Sequence, residues 1–336
     1  MSTQTQFTKL LADIEPSDTT KGDASSAHWG LRDYLAAHET FSDVHVETFL
    51  SGSYGRNTSI RPREKAGVVC RPDVDIIVVT NHTLDDASAD VLDQLREVLE
   101  EQYDVDERVN ARSVSVSTVR VNMDVVPIIE APKGDQYKFY IPDRETGKWV
   151  PTNPPGHSEW ATNVNKTNGG RFKPLVKLFK WWRRENPTAE QGNRPKGFVI
   201  EKVVADSMSA TEENYPELFT KAMESIVSRY ALYHTLGMVP SIEDPSVPGN
   251  NITSRLSFQE FSAFYKKAEE HAKLARKAMS ESDDDKAREM WQQIFGKRFP
   301  ASGKRAAESL LSTATASIGL AFPNHPVVPQ KPGGFA

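Results

Sequence analysis

Apolar positions shift from helical spacing to alternation and back along the chain. Phe7, Leu10, Leu11 and Ile14 lie at helical spacing before Pro16-Ser-Asp-Thr-Thr-Lys-Gly breaks the pattern, which predicts a short helix and a loop. Leu31, Tyr34 and Leu35, behind a cap at Ser25 or Ser26, predict a second helix that leads into a strand from Val44 to Leu50. Asp73-Val74-Asp75 then opens the run Ile76, Ile77, Val78 and Val79, a strand. Val91, Leu92, Leu95, Val98 and Leu99 mark an amphipathic helix over Ser88 to Tyr103 that covers a sheet. Val114 to Ile129 reads as a further strand, with Pro127 where pairing stops or at an edge. Glu130 to Gly170 is rich in proline and glycine and reads as a connector.

From Lys173 the spacing is helical. Leu175, Leu178, Phe179 and Trp182 form one face, and Lys173, Lys177, Lys180 and Arg184 another. A packed helix is expected over Tyr215 to Tyr230, and Ser257 with Glu260 makes a capping box at the head of a long helix. Asp283-Asp284-Asp285 reads as a solvated loop between helices rather than a metal site. The pattern predicts an α+β chain: a mixed sheet with flanking helices over 1–165, a helical lobe over 166–321 closing a cleft against it, and an extended tail over 322–336, whose prolines exclude regular helix.

The chemistry concentrates where the first strand ends. Gly52-Ser53 forms a turn whose backbone N–H groups and hydroxyl suit a phosphate, because glycine permits close approach. Side chains alternate along a strand, so Asp73 and Asp75 share one face while Val74, Ile76 and Val78 share the other. Over Val119 to Val125 the same alternation puts Val119, Val121, Met123 and Val125 on one face and Arg120, Asn122 and Asp124 opposite. Three carboxylates can then converge. An aspartate pair at a strand start is by itself commonly a solvated end; the upstream Gly-Ser turn and the downstream Asp124 set this one apart. Crowded carboxylates need a counter-charge, and Mg²⁺ takes hard oxygen ligands at about 2.0–2.1 Å. Two such ions, with Mn²⁺ as a substitute, activate an attacking hydroxyl and neutralise a leaving pyrophosphate. Asp73, Asp75 and Asp124 are therefore the expected catalytic residues and metal ligands of a nucleotidyl transfer, with Asp124 nearest the attacking hydroxyl. Arg61, Arg63, Lys65 and Arg71, between the turn and the acids, fit a nucleotide and a solvated loop equally well.

Gly52-Ser53-Tyr54-Gly55-Arg56-Asn57-Thr58, Asp73-Val74-Asp75 and Met123-Asp124-Val125-Val126-Pro127 resemble the polymerase-beta-type nucleotidyltransferases, and more closely the cGAS/DncV-like enzymes of bacterial CBASS antiphage systems. Pro154, Trp160, the Lys177 helix and Trp291 to Pro300 extend the resemblance over most of the chain. It implies a polymerase-beta-like core and a cyclic di- or trinucleotide messenger, made from nucleoside triphosphates and acting on a downstream effector. It also implies a lysine on the donor triphosphate, matched best by Lys177 and next by Lys180. A Ser-Tyr pair that touches the triphosphate in the family is replaced here by Lys196-Gly197-Phe198, with Lys196 as its substitute. Gly333-Gly334-Phe335-Ala336 resembles tails whose terminal carboxylate, here Ala336, is conjugated by an E1/E2-type partner.

The 336 residues carry a net charge of −5, which argues against stable binding of long nucleic acid and disfavours an RNA-tailing enzyme. The acids alone equally suit a linear oligonucleotide synthetase, and loss of catalysis would leave a nucleotide-binding module. Cys70 is the single cysteine, so no internal disulfide or cysteine zinc site is expected. No apolar stretch approaches the ~20 residues of a membrane span, and the start lacks a signal-peptide pattern, so a cytoplasmic protein is expected. Asn165 and Lys166 are candidate base-reading residues.

Overall fold

A computed structural model describes residues 3–65, 67–188 and 194–300, which fall within one compact unit, Ser2–Pro300. The tail with Ala336 and the end of the helical lobe lie outside the described residues. Helix α1 (Thr3–Ile14) buries Phe7, Leu10 and Ile14. α2 (Asp18–Ala37) begins eight residues before the expected caps, because the Ser17 hydroxyl accepts from the Thr20 N–H at 3.1 Å. Its first turns are polar and show no apolar stripe until Ala24, so the expected loop is helix. The strands β1 (His45–Leu50), β2 (Glu64–Lys65), β3 (Val68–Val69) and β4 (Asp73–Thr80) follow, with α3 (Gly52–Gly55) as a single turn after β1. Next come α4 (Ser88–Glu100), β5 (Asp104–Val105), β6 (Val114–Ser117) and β7 (Asn122–Glu130).

Among the described residues, the main sheet runs β1-β4-β7-β6-β5. Its centre is the parallel pair β4 and β7, with Asp73 opposite Asn122, Asp75 opposite Asp124, and the register kept to Thr80 opposite Ile129. The expected long strand from Val114 to Ile129 is two strands around a turn that Thr118 closes by bonding Val121. Val119 is thereby 95% exposed rather than part of an apolar face. Pro127 lies inside β7 and not at an edge: pairing to β6 has ended at Val125 and pairing to β8 starts at Ile129, so the absent N–H falls in a gap.

The expected connector is structured. It forms the hairpin β8 (Phe139–Asp143) and β9 (Lys148–Thr152), which extends the sheet from β7, and then α5 (Pro154–Thr167), capped by Asn153. Pro154 and Pro155 lie in the first turn of α5, where proline is tolerated, Gly147 lies in the turn between β8 and β9, and Pro142 and Pro151 lie within the two strands.

The second half is helical: α6 (Phe172–Glu185), α7 (Gly197–Ser207), α8 (Tyr215–Thr235), α9 (Phe258–Ser280) and α10 (Asp284–Phe295). The capping box at Ser257 and Glu260 is present. The acid run is a cap and not a loop, since Asp283 accepts from the N–H groups of Asp285 and Lys286, and Asp284 and Asp285 complement the helix dipole.

Two main cores result. Val74, Ile76, Val78, Met123 and Val125 pack on Leu31, Leu35, Leu95 and Leu99 behind the sheet. The helical core holds Phe179, Trp182, Phe219, Trp291 and Phe295, and it recruits Phe7, Leu10 and Ile14 from α1. Phe7 meets Trp291 edge-on with ring centroids 4.9 Å apart. The first helix thus belongs by packing to the second half of the chain.

Candidate active site

β1 ends at Leu50, and the chain turns at once onto the start of β4. The Ser51 N–H donates to the Asp75 carbonyl at 2.9 Å, which seats α3 directly on the acid strand. Gly52 adopts φ 57°, and a Cβ there would lie 1.7 Å from Asp75 Oδ2. Close approach to the carboxylate therefore demands this glycine, independently of any phosphate.

Alternation places Asp73 and Asp75 on the sheet face opposite Val74, Ile76 and Val78, as expected, and the parallel register brings Asp124 beside Asp75 on a strand about 4.8 Å away. Burial, then repulsion from Asp124 and Asp73, pushes the Asp75 carboxyl up to about 6 against the pull of Arg56 and Lys180. Asp124 Oδ1 accepts from Ser115 Oγ, and Asp73 Oδ1 from Asn122 at 3.3 Å. Among the described residues no three such side chains converge on one point. The donor set still suits Mg²⁺. Its oxygens are hard, the repulsion around Asp75 is of the kind a divalent cation relieves, and the Ser115 bond leaves Asp124 Oδ2 with its lone pairs.

Asp73 and Asp75 open onto a cavity of about 990 Å³ between the sheet and the helical half, and Gly52, Ser53, Lys180 and Lys196 also line it. Seven cationic side chains line this cavity against two acidic ones, so a chain of net charge −5 presents a positive interior. Arg63 and Arg71, on the loop whose role the sequence left open, contribute two of the seven, and Arg56 of the glycine-turn motif a third. Arg183, absent from the expected basic stripe, contributes another. Asp124, Lys177, Asn165 and Lys166 are not in the lining. Asn165 instead accepts from the Lys173 N–H at the head of α6.

The α6 lysines are not on a solvated face. Lys177 and Lys180 are both about nine-tenths buried or more, and they have different partners. Lys177 Nζ pairs with Glu15 Oε2 at 2.5 Å and reaches Asn57 at 3.5 Å. Lys180 Nζ donates to Glu201 Oε1 at 2.7 Å and to the Thr58 hydroxyl at 3.0 Å. Arg56 Nε meets Glu201 Oε2 at 2.8 Å, and Thr58 Oγ1 donates to Glu201 Oε1 at 2.8 Å. Burial raises the carboxyl of Glu201, but Lys180 and Arg56 outweigh burial and hold it at about 2. Glu201 on α7 therefore ties the loop after the Gly-Ser turn to α6. Glu201 gave no signal in the sequence, because a lone acid within an apolar helix reads as an ordinary solvated position.

The model of the SMODS family, the Second Messenger Oligonucleotide or Dinucleotide Synthetase domain, matches residues 1–165. The whole chain is 52% identical over 343 residues to a cyclic AMP-AMP-AMP synthase from an Acinetobacter species, covering 98% of that protein. It is 27% identical over 394 residues to a cyclic AMP-AMP-GMP synthase from Enterobacter hormaechei, with 100% of each covered. The structure of Escherichia coli MS115-1 CdnC with ATP aligns at a TM-score of 0.68 and 17% identity, over 89% of this chain and 99% of that one, and shares the fold. Half the residues identical along the full length, on a sheet that carries the paired aspartates under a glycine turn, makes this chain a member of the bacterial cGAS/DncV-like nucleotidyltransferases, the cyclic oligonucleotide synthases of CBASS antiphage systems.

Proposed function

We propose that this chain joins ATP into a cyclic triadenylate messenger, with Asp73, Asp75 and Asp124 as the catalytic carboxylates. The observation that carries the assignment is the register of β4 and β7, which sets Asp75 beside Asp124 under the Gly52 turn. Asp73, Asp75 and Asp124 are the residues that would hold Mg²⁺, which supplies Lewis-acid stabilisation of charge on the phosphates. Gly52 and Ser53 receive the donor triphosphate from the wall of the cavity. Lys196 faces the same space, in the place of the family's Ser-Tyr pair. Lys180 positions the turn through Thr58 and adds positive field. Lys177, turned to Glu15, acts on the same field from outside the cavity. Asp124 accepts the proton of the attacking ribose hydroxyl through the oxygen that Ser115 leaves free. The choice of adenine follows the Acinetobacter relative.

The test is incubation of the purified protein with all four nucleoside triphosphates and Mg²⁺, followed by phosphatase treatment and mass spectrometry. A phosphatase-resistant cyclic triadenylate is expected from the wild type. Asp73→Asn/Asp75→Asn should form about 10²–10³-fold less, the scale of removing electrostatic stabilisation from a transition state. Phosphatase-sensitive linear products alone would favour an oligomer synthetase instead. The same proposal includes conjugation of the Ala336 carboxylate by an E1/E2-type partner, which rests on the family tail. Absence of a thioester with the partner, where a related cyclase forms one, would sink it. Among the described residues no helix is long and apolar enough to cross a membrane.

A further inference from the structure

The run from Ser59 to Arg63 forms one wall of the cavity: Ser59, Ile60, Pro62 and Arg63 line it, and Arg61 does not. The Arg61 side chain leaves for the end of α1, where Nη1 donates to the Asp13 carbonyl at 2.8 Å and to Asp13 Oδ1 at 2.9 Å. Its backbone N–H donates to the Ile14 carbonyl at 2.7 Å, and its own carbonyl accepts from Arg184 of α6. Asp13 has a second partner. Its Oδ2 accepts from Arg298 Nη1 at 3.0 Å, and Arg298 Nη2 reaches Glu64 Oε2, one residue past the wall, at 3.4 Å. Arg61, Asp13, Arg298 and Glu64 thus form a chain of alternating charge outside the cavity, with Arg298 between the two acids.

Arg298 is the firmly held end of this chain. Gly296, at φ 76°, turns the backbone after α10 along the end of α6, so close that a Cβ there would lie 2.1 Å from Glu185 Oε2. Trp181 Nε1 donates to the Phe295 carbonyl at 2.9 Å, Asn186 to that of Ile294 at 2.8 Å, and Gln292 to that of Phe299 at 3.0 Å. Phe299 itself is wholly buried beside Phe7 and Trp291. The wall is held less well. The β2–β3 hairpin that follows it leaves Val68 and Val69 exposed and so adds no apolar anchor. On its inner side, burial and then Arg63 pull the guanidinium groups of Arg183 and Arg184 down to about 10, which records like charges crowded across the cavity. That repulsion pushes the wall outward, and the ion-pair chain on the outer side opposes it.

Building on the nucleotidyl-transfer reading, we infer that Arg298 is a positioning residue for that reaction: through Asp13 and Glu64 it holds the Ser59 to Arg63 wall, and with it Arg63, against the cavity without touching the nucleotide. The experiment measures the Kd of α,β-methylene-ATP in the presence of Mg²⁺, the KM and kcat of product formation from ATP, and the melting temperature. The proteins compared are the wild type, Arg298→Gln, Arg298→Lys, Asp13→Asn and the double variant Asp13→Asn/Arg298→Gln. Arg298→Gln should raise Kd and KM by about threefold to tenfold, the scale of a partly exposed ion-pair network, with kcat within about twofold of the wild type. Arg298→Lys should recover part of the loss, since it restores the charge to the gap between the acids. The double variant should lose less than the product of the two single losses, because residues in one chain of contacts are not additive. Should Asp13→Asn fail to fold, Glu64→Gln at the exposed end of the chain takes its place in the cycle. An unchanged Kd in Arg298→Gln would overturn the inference. A kcat that falls together with the melting temperature at constant KM would make the role structural and overturn it too, as would fully multiplicative losses in the double variant. A wild type that neither binds the analogue nor forms product would sink the nucleotidyl-transfer reading itself, a failure distinct from variants that bind as well as the wild type.

Discussion

Two groups of cations share the cavity and α6 contributes to both, yet their surroundings are opposite. Lys180 and Arg56 grip Glu201, which is fully buried, and the three charges with Thr58 form a closed network. One turn further along α6, Arg184 leans on the Arg61 carbonyl and stands in the field of Arg63 and Arg183. A cation with a buried carboxylate partner has its charge answered by the protein and serves to hold elements together. A cation oriented by a carbonyl is held in place by a partner that does not cancel its charge. Sequence shows Lys180 and Arg184 as members of one basic stripe.

The largest effect that would sharpen this contrast is on stability. Replacing Glu201 with alanine leaves Arg56 and Lys180 buried without a counter-charge, and the loss should be about 3–5 kcal/mol. Arg184→Gln should cost less, since it removes a hydrogen bond to a carbonyl and leaves no buried charge unpaired. Urea denaturation of both variants measures the difference, and equal losses would break the distinction between the two groups.

Acid should act on the first group alone. The Glu201 carboxyl titrates at about 2 in the folded chain against 4.5 for the ordinary group. The folded value is the depressed one, so its contribution is complete above 4.5 and is lost as pH falls through 4.5 towards 2. Denaturation midpoints of the wild type should fall across that window more steeply than those of Glu201→Gln. Parallel curves would remove Glu201 from the account.

The smallest effect concerns the lysine that family resemblance ranks first. Lys177 shares Glu15 with Lys21, which pairs at 2.8 Å, and Glu15 is partly exposed, so Lys177→Ala leaves no carboxylate unpaired and should cost less than Glu201→Ala. Its kcat/KM should stay within about threefold of the wild type, whereas Lys196→Ala should lose about tenfold, the value of a charge-assisted contact of about 1.4 kcal/mol. A larger loss for Lys177→Ala would return the triphosphate to that residue.

The alternation of Asp73-Val74-Asp75 was legible because a strand leaves a side chain only two faces, and apolar residues choose one of them. Asp124 was found by the same rule although Val119, placed on the same strand, turned out to lie in the turn at Thr118. The head of α2 was missed because Asp18 to Asp23 pack nothing apolar, and capping at Ser17 leaves no period. The β8–β9 hairpin and α5 were hidden by prolines that read as breakers, while the hairpin gains its ladder from β7 and α5 its cap from Asn153.

By itself the sequence determined the acid pair, the glycine turn above it, the core faces and the capping box at Ser257 and Glu260. These depend on residues near in the chain, where period and steric rules act directly. Tertiary structure decided that α1 completes the helical core, that Glu201 answers Lys180, and which basic residues of α6 see the cavity. Lys177 and Lys180 share a stripe but stand about 4.5 Å apart along the helix axis, far enough for one to meet Glu15 and the other Glu201. That outcome depends on where α6 crosses its neighbours, and the distribution of charge along one helix carries no record of the crossing.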